Sequence, residues 1–89
     1  MFLHLGNDHM VYAKNIIAIF DIENASTSKD TREFLASAGK AKRVITCSYE
    51  LPKSFVVTLD NDFTELIYIS AISPETLKKR LNNITQGKF

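Results

Sequence analysis

Short apolar runs separated by turn residues set the organisation of this chain. Phe2–Leu5 is a brief apolar run that ends at Gly6-Asn7-Asp8, residues that suit a tight turn with positive φ. His9–Tyr12 returns as a second strand, and Ala13-Lys14-Asn15 is a short break. Ile16–Ile22 is rich in β-branched residues and apolar at both alternating positions, as expected of a strand buried on two sides.

Glu23–Ser28 reads as a loop that ends in helix-cap chemistry. Thr27 or Ser28 can accept a hydrogen bond from an otherwise unpaired backbone N–H, and Asp30 favours the positive end of a helix dipole. The helix runs to about Ala38, with Phe34, Leu35 and Ala38 inward, and Gly39 is expected to stop it. Arg43–Cys47 is a further short strand, broken before Pro52, which supplies no N–H to a ladder. Ser54–Leu59 and Phe63–Ile72 form a hairpin across Asp60-Asn61-Asp62, and its second arm is again apolar on both faces. Ser73-Pro74-Glu75 is a helix start, with Leu77, Leu81 and Ile84 as a narrow apolar stripe.

The expectation is an α+β fold: a small, mainly antiparallel sheet or sheets of about five to six strands, one central helix and a short C-terminal helix. Residues 1–85 form a single domain and 86–89 a frayed tail. Strands apolar on both faces must be covered by helices, by a second sheet or by a neighbouring subunit, so assembly with further copies is expected.

Composition narrows the class. The chain has 89 residues, 45% of them hydrophobic and 24% charged, which is ordinary for one folded domain with a modest core. No apolar stretch is long enough for a membrane span, and the N-terminus lacks the features of a secretory leader. Cys47 is the only cysteine, so no intrachain disulfide forms and a cytoplasmic location is expected. Its apolar setting reads as a small buried hydrophobe.

Chemistry is sparse. Three glycines lie far apart, so no phosphate loop exists, and His4 and His9 have no companions for a metal site. Asp60-Asn61-Asp62 lacks the later glycine and glutamate of a calcium loop. No histidine is placed to activate Cys47, Ser48 or Ser54, so no catalysis, cofactor or metal is expected. Net charge is +1, yet the basic residues gather between Ser37 and Lys53 and again after Ser73, while Asp60, Asp62 and Glu65 lie between these clusters. Lys78-Lys79-Arg80 sit on a helix whose residues point about 100° apart, so they fan out instead of forming one flat patch. They, and Lys53 on a loop, are the candidates for phosphate binding.

Phe2-Leu3-His4-Leu5-Gly6, Asn15-Ile16-Ile17-Ala18-Ile19, Leu51-Pro52-Lys53-Ser54-Phe55-Val56-Val57-Thr58 and the segment from Ile69 to Leu81 follow one another in a specific order. Together they resemble the RemA/RemB family of extracellular-matrix regulators of Gram-positive bacteria, on its RemB (YaaB)-like branch. The resemblance implies an oligomeric regulator of biofilm-matrix genes, from a family whose RemA branch assembles into rings that bind DNA along an arginine-lined outer rim. A basic residue of that rim is kept as Lys53 and Lys14 lies beside another of its positions, so Lys14, Lys53 and, from their charge, Lys78, Lys79 and Arg80 are the expected DNA contacts. Asn15, Glu50 and Leu51 stand where RemA-like sequences carry arginines, which removes fork-shaped phosphate contacts. The alternative implied is a partner of a RemA-like paralogue that does not itself touch DNA.

Overall fold

A computed structural model describes residues 1–25 and 28–85. In chain order the elements are β1 (Phe2–Gly6), β2 (His9–Tyr12), a 3-10 turn (Ala13–Asn15), β3 (Ile16–Asp21), α1 (Ile22–Ala25), α2 (Lys29–Lys40), β4 (Val44–Thr46), β5 (Ser54–Leu59), β6 (Glu65–Ser70) and α3 (Pro74–Thr85). The expected α+β class holds, with six strands in two sheets among the described residues. The C-terminal helix is not short: its 12 residues equal those of α2. Among the described residues no helix is long and apolar enough to cross a membrane.

Strands β1 and β2 form a hairpin on their own. Its turn takes positive φ at Gly6, Asn7 and Asp8, as those residues allow. The other four strands form one sheet in the order β3-β5-β6-β4. All pairs in it are antiparallel except β4 with β6, so β3 and β4 run in the same direction at opposite edges. The β5–β6 hairpin is inserted between them, and α2 makes the crossover over one face.

That face buries Phe55, Val57 and Ile67 against Ala38, Phe34 and Leu35 of α2. The opposite face carries Val56, Ile19 and Tyr68, covered by Leu3, Leu5 and Val11 of the hairpin and by Leu77 and Ile84 of α3. Strands β5 and β6 are thus covered on both faces by the chain itself, and their pattern requires no neighbouring subunit. Strand β3 differs. It is an edge strand, bulged between Ile16 and Ala18, and it leaves Ile17 and Phe20 exposed. Buried hydroxyls tie the layers together: Ser70 Oγ donates to the Leu5 carbonyl at 2.8 Å and Ser54 Oγ to the Ile72 carbonyl at 2.7 Å.

Several boundaries depart from the sequence expectations. Ser28 caps α2, accepting from the Thr31 N–H, whereas Thr27 lies outside the described residues, as does the expected tail at 86–89. Glu23 falls in the short helix α1, whose first turn is anchored by its N–H donating to Asp21 Oδ1. Gly39 does not end α2. Lys42 takes the left-handed position, with φ 58, while the Arg43 N–H reaches the Ala38 carbonyl and the Lys42 N–H that of Gly39. Those two bonds satisfy the orphan carbonyls of the last turn, which outweighs the steric preference for glycine one turn earlier. Phe63 is likewise outside its expected strand, because the turn from Asp60 to Thr64 absorbs it.

Candidate nucleic-acid interface

Helix α3 positions the candidate site. Pro74 and Leu77 are buried, Leu81 and Ile84 are half-buried, and this stripe fixes the helix against β1 and β3. Its N-terminus shares a cleft with Asp21 and Glu23 at the far end of β3, and the helix also reaches the 3-10 turn before β3. It therefore runs antiparallel to β3, with Lys53 near its start and Lys14 toward its end. Ser73 caps it, Oγ accepting from the Thr76 N–H at 3.3 Å.

Lys78, Lys79 and Arg80 are all exposed on this helix. Stepping about 100° per residue from the inward stripe, Lys79 points straight out and Lys78 and Arg80 flank it. Lys14 is exposed and lies over the Tyr12 ring at 5.6 Å, a cation–π contact that holds it on the hairpin side. Lys53 is exposed, but its cleft contains Asp21, Glu23 and Glu75, so the local potential there favours cations over phosphate.

The two basic stretches of the sequence do not converge. Lys40 and Lys42 end α2, on the opposite face of the sheet from α3, and Arg43 pairs with Glu65. Lys88 lies outside the described residues. Asn15 and the Glu50-Leu51 pair fall at opposite ends of β3, roughly 20 Å apart for a six-residue strand, so one subunit cannot bring those positions together. Glu50 and Leu51 lie on the exposed loop before β5, with Leu51 80% and Tyr49 fully exposed.

The chemistry around Cys47 is inert. The thiol is 2% exposed, and burial pushes it up to about 11 from its usual 9.0. Burial and the neighbouring Cys47 charge raise the Tyr68 hydroxyl as well. Both protons are held more tightly in the folded chain than in the unfolded one. The Cys47 contribution to stability is therefore complete below about pH 9 and is lost as pH rises through about 11, and that of Tyr68 is lost in the same alkaline direction. Thiol labelling at about pH 8 is expected to be slow in buffer and fast in urea, and the urea midpoint to fall above about pH 9. Rapid labelling of the folded protein at pH 8 would contradict this. Among the described residues no three His, Cys, Asp or Glu side chains form a group able to hold a metal ion.

Sequence reasoning missed one surface. The outer face of the β1–β2 hairpin exposes Phe2, Met10 and Tyr12, with the Phe2 and Tyr12 rings 4.5 Å apart. The available signal was that β1 and β2 are apolar at both alternating positions although a two-stranded ribbon has only one face to bury.

Comparison with known proteins identifies relatives of this chain. A family model described as RemA-like, extracellular matrix regulatory protein A-like, matches residues 2–81. Extracellular matrix regulatory protein B of Bacillus subtilis (strain 168) is 40% identical over 80 residues, covering 90% of this chain and 89% of that protein. The match takes in both sheets and the basic part of α3, and the chain belongs to the RemA-like family of extracellular matrix regulatory proteins.

Proposed function

We propose that this protein regulates biofilm-matrix gene expression as an oligomer that grips DNA through its phosphates, acting in the cytoplasm and without catalysis. The names of the matching family and of the Bacillus subtilis relative both describe extracellular matrix regulation. The observation that carries the DNA reading is the exposure of all three basic residues on α3, with Lys79 pointing outward, Lys78 and Arg80 on its two flanks, and Lys14 toward the end of the same helix. Four cations on one subunit make weak contacts, and repetition in an assembly multiplies them. No recognition helix enters a groove in this reading, so sequence preference comes from DNA shape and bending.

The test is a salt titration of binding to AT-rich duplex DNA, with the assembly's mass measured on the same sample. Four phosphate contacts per subunit give a log–log slope of about −3.6 per subunit engaged. Absence of binding at low salt overturns the DNA reading.

A second reading has its own support. Three carboxylates surround Lys53, and Tyr49 and Leu51 present exposed apolar surface on either side of Glu50. That loop suits a protein surface better than a phosphate backbone. Under this reading the protein tunes a RemA-like paralogue by binding it, and the two co-purify in the absence of DNA.

A further inference from the structure

Outward positions on a two-stranded ribbon face water and are ordinarily polar. On β1 and β2 the chain buries Leu3, Leu5 and Val11 against the main sheet and turns Phe2, His4, Met10 and Tyr12 outward. All four are exposed, and they form two cross-strand rows, Phe2 opposite Tyr12 and His4 opposite Met10. In the first row the rings lie 4.5 Å apart, so Tyr12 backs Phe2, which keeps 51% of its surface in solvent. Packing within the subunit does not account for an outer face made of two aromatic rings, an imidazole and a thioether.

The charge around this face is uneven. None of the four outward positions holds a carboxylate, and Lys14 lies over the Tyr12 ring. Helix α3 packs against β1 and covers the same side of the main sheet, so hairpin and helix form one layer. The outer face of the hairpin is therefore continuous with the surface that exposes Lys78, Lys79 and Arg80. On the β2 side it is bordered by Asp60 instead. A polyanion crossing the rings is drawn toward Lys14 and α3 and repelled from the opposite edge.

We propose that the outer face of the β1–β2 hairpin is a stacking platform for unpaired bases, through which this protein holds single-stranded nucleic acid. A ring offers a π-face to any base, and cations beside it hold the backbone, which is the combination used to bind single strands. Base faces inside a duplex are covered by their neighbours, so a stacking platform discriminates in favour of unpaired strand. Spacing agrees with this occupant. The two rows are two residues apart along the ribbon, about 6.8 Å. That is twice the ~3.4 Å rise of stacked bases, so a strand opened to this spacing lays one base on each row. This inference rests on the nucleic-acid reading and adds the form of nucleic acid that the subunit takes.

The experiment measures anisotropy at one low salt concentration with labelled oligo-dT, oligo-rU and the AT-rich duplex, for the wild type, Phe2→Ala, Phe2→Tyr and Tyr12→Phe, with mass by sedimentation on the same samples. Phe2→Ala is expected to lower the ratio of single-strand to duplex affinity about tenfold, and Phe2→Tyr, which keeps a ring, to preserve it. The chain has three tyrosines and no tryptophan, so tyrosine emission reports stacking. The single strand should quench that emission, and Tyr12→Phe should abolish most of the quenching. Either single strand giving these responses carries the inference, and the strand that binds assigns DNA or RNA. An unchanged ratio in Phe2→Ala, or full quenching in Tyr12→Phe, overturns it. So does an affinity loss in Phe2→Ala that only follows a loss of mass, which would make this face a contact between copies. Duplex binding without single-strand binding overturns this inference and leaves the duplex grip standing, and the reverse result does the opposite. If neither nucleic acid binds at low salt, both fall.

Discussion

Phe55→Ala is expected to destabilise the fold by about 3–5 kcal/mol, the usual range for removing a buried phenyl ring from a core. Phe55 is 1% exposed on β5, between β3 and β6, where it lies opposite Phe20 and Ile69. Its ring stacks on Phe20 at 4.9 Å, and it belongs to the cluster that holds α2. Alanine removes the packing surface for the helix and the sheet together, and neighbours on two rigid layers cannot both collapse into the space. A domain of this size is worth roughly 4–13 kcal/mol in all, so the variant would sit close to its unfolding threshold. Urea denaturation checks this: the midpoint should fall sharply while the slope stays unchanged. A loss below about 1 kcal/mol would mean that α2 is not seated on this residue as described.

The second large effect concerns α3. Reversing Lys78, Lys79 and Arg80 together to glutamate is expected to reduce DNA affinity roughly a hundredfold or more at low salt, since three charge-assisted phosphate contacts become repulsions. The salt slope should also shrink by about 2.7 per subunit engaged. Stability should hardly change, because all three side chains are exposed and the inward stripe is untouched. Anisotropy with the same AT-rich duplex, beside a urea melt of the variant, separates lost binding from lost folding. If the variant binds DNA as the wild type does, the α3 face is not the contact. If neither binds but a RemA-like paralogue still co-purifies, the partner reading replaces the DNA reading.

These expectations show how much was legible in the chain. Ser73 and Pro74 announced the start of α3, and Leu77, Leu81 and Ile84 its inner stripe, because capping and helical period are local properties. Gly6-Asn7-Asp8 announced the first turn for the same reason. Gly39 misled, since a glycine can end a helix but need not. The hydrogen bonds from Lys42 and Arg43 that end α2 depend on where the chain goes next. Lys53 also read as a free loop cation, and only folding set Asp21, Glu23 and Glu75 around it.

The sequence by itself determined the α+β class, nearly every strand and helix, and the family. These follow from short-range patterning and from the order of a few segments. The tertiary structure decided what depends on contacts distant in the chain. It inserted the β5–β6 hairpin between β3 and β4, and it buried both faces of β5 and β6 within one subunit. It separated Asn15 from Glu50 and Leu51, and it paired Arg43 with Glu65. The reason is physical: helix and turn preferences act over a few residues, whereas strand order and charge neighbours are set only when the whole core packs.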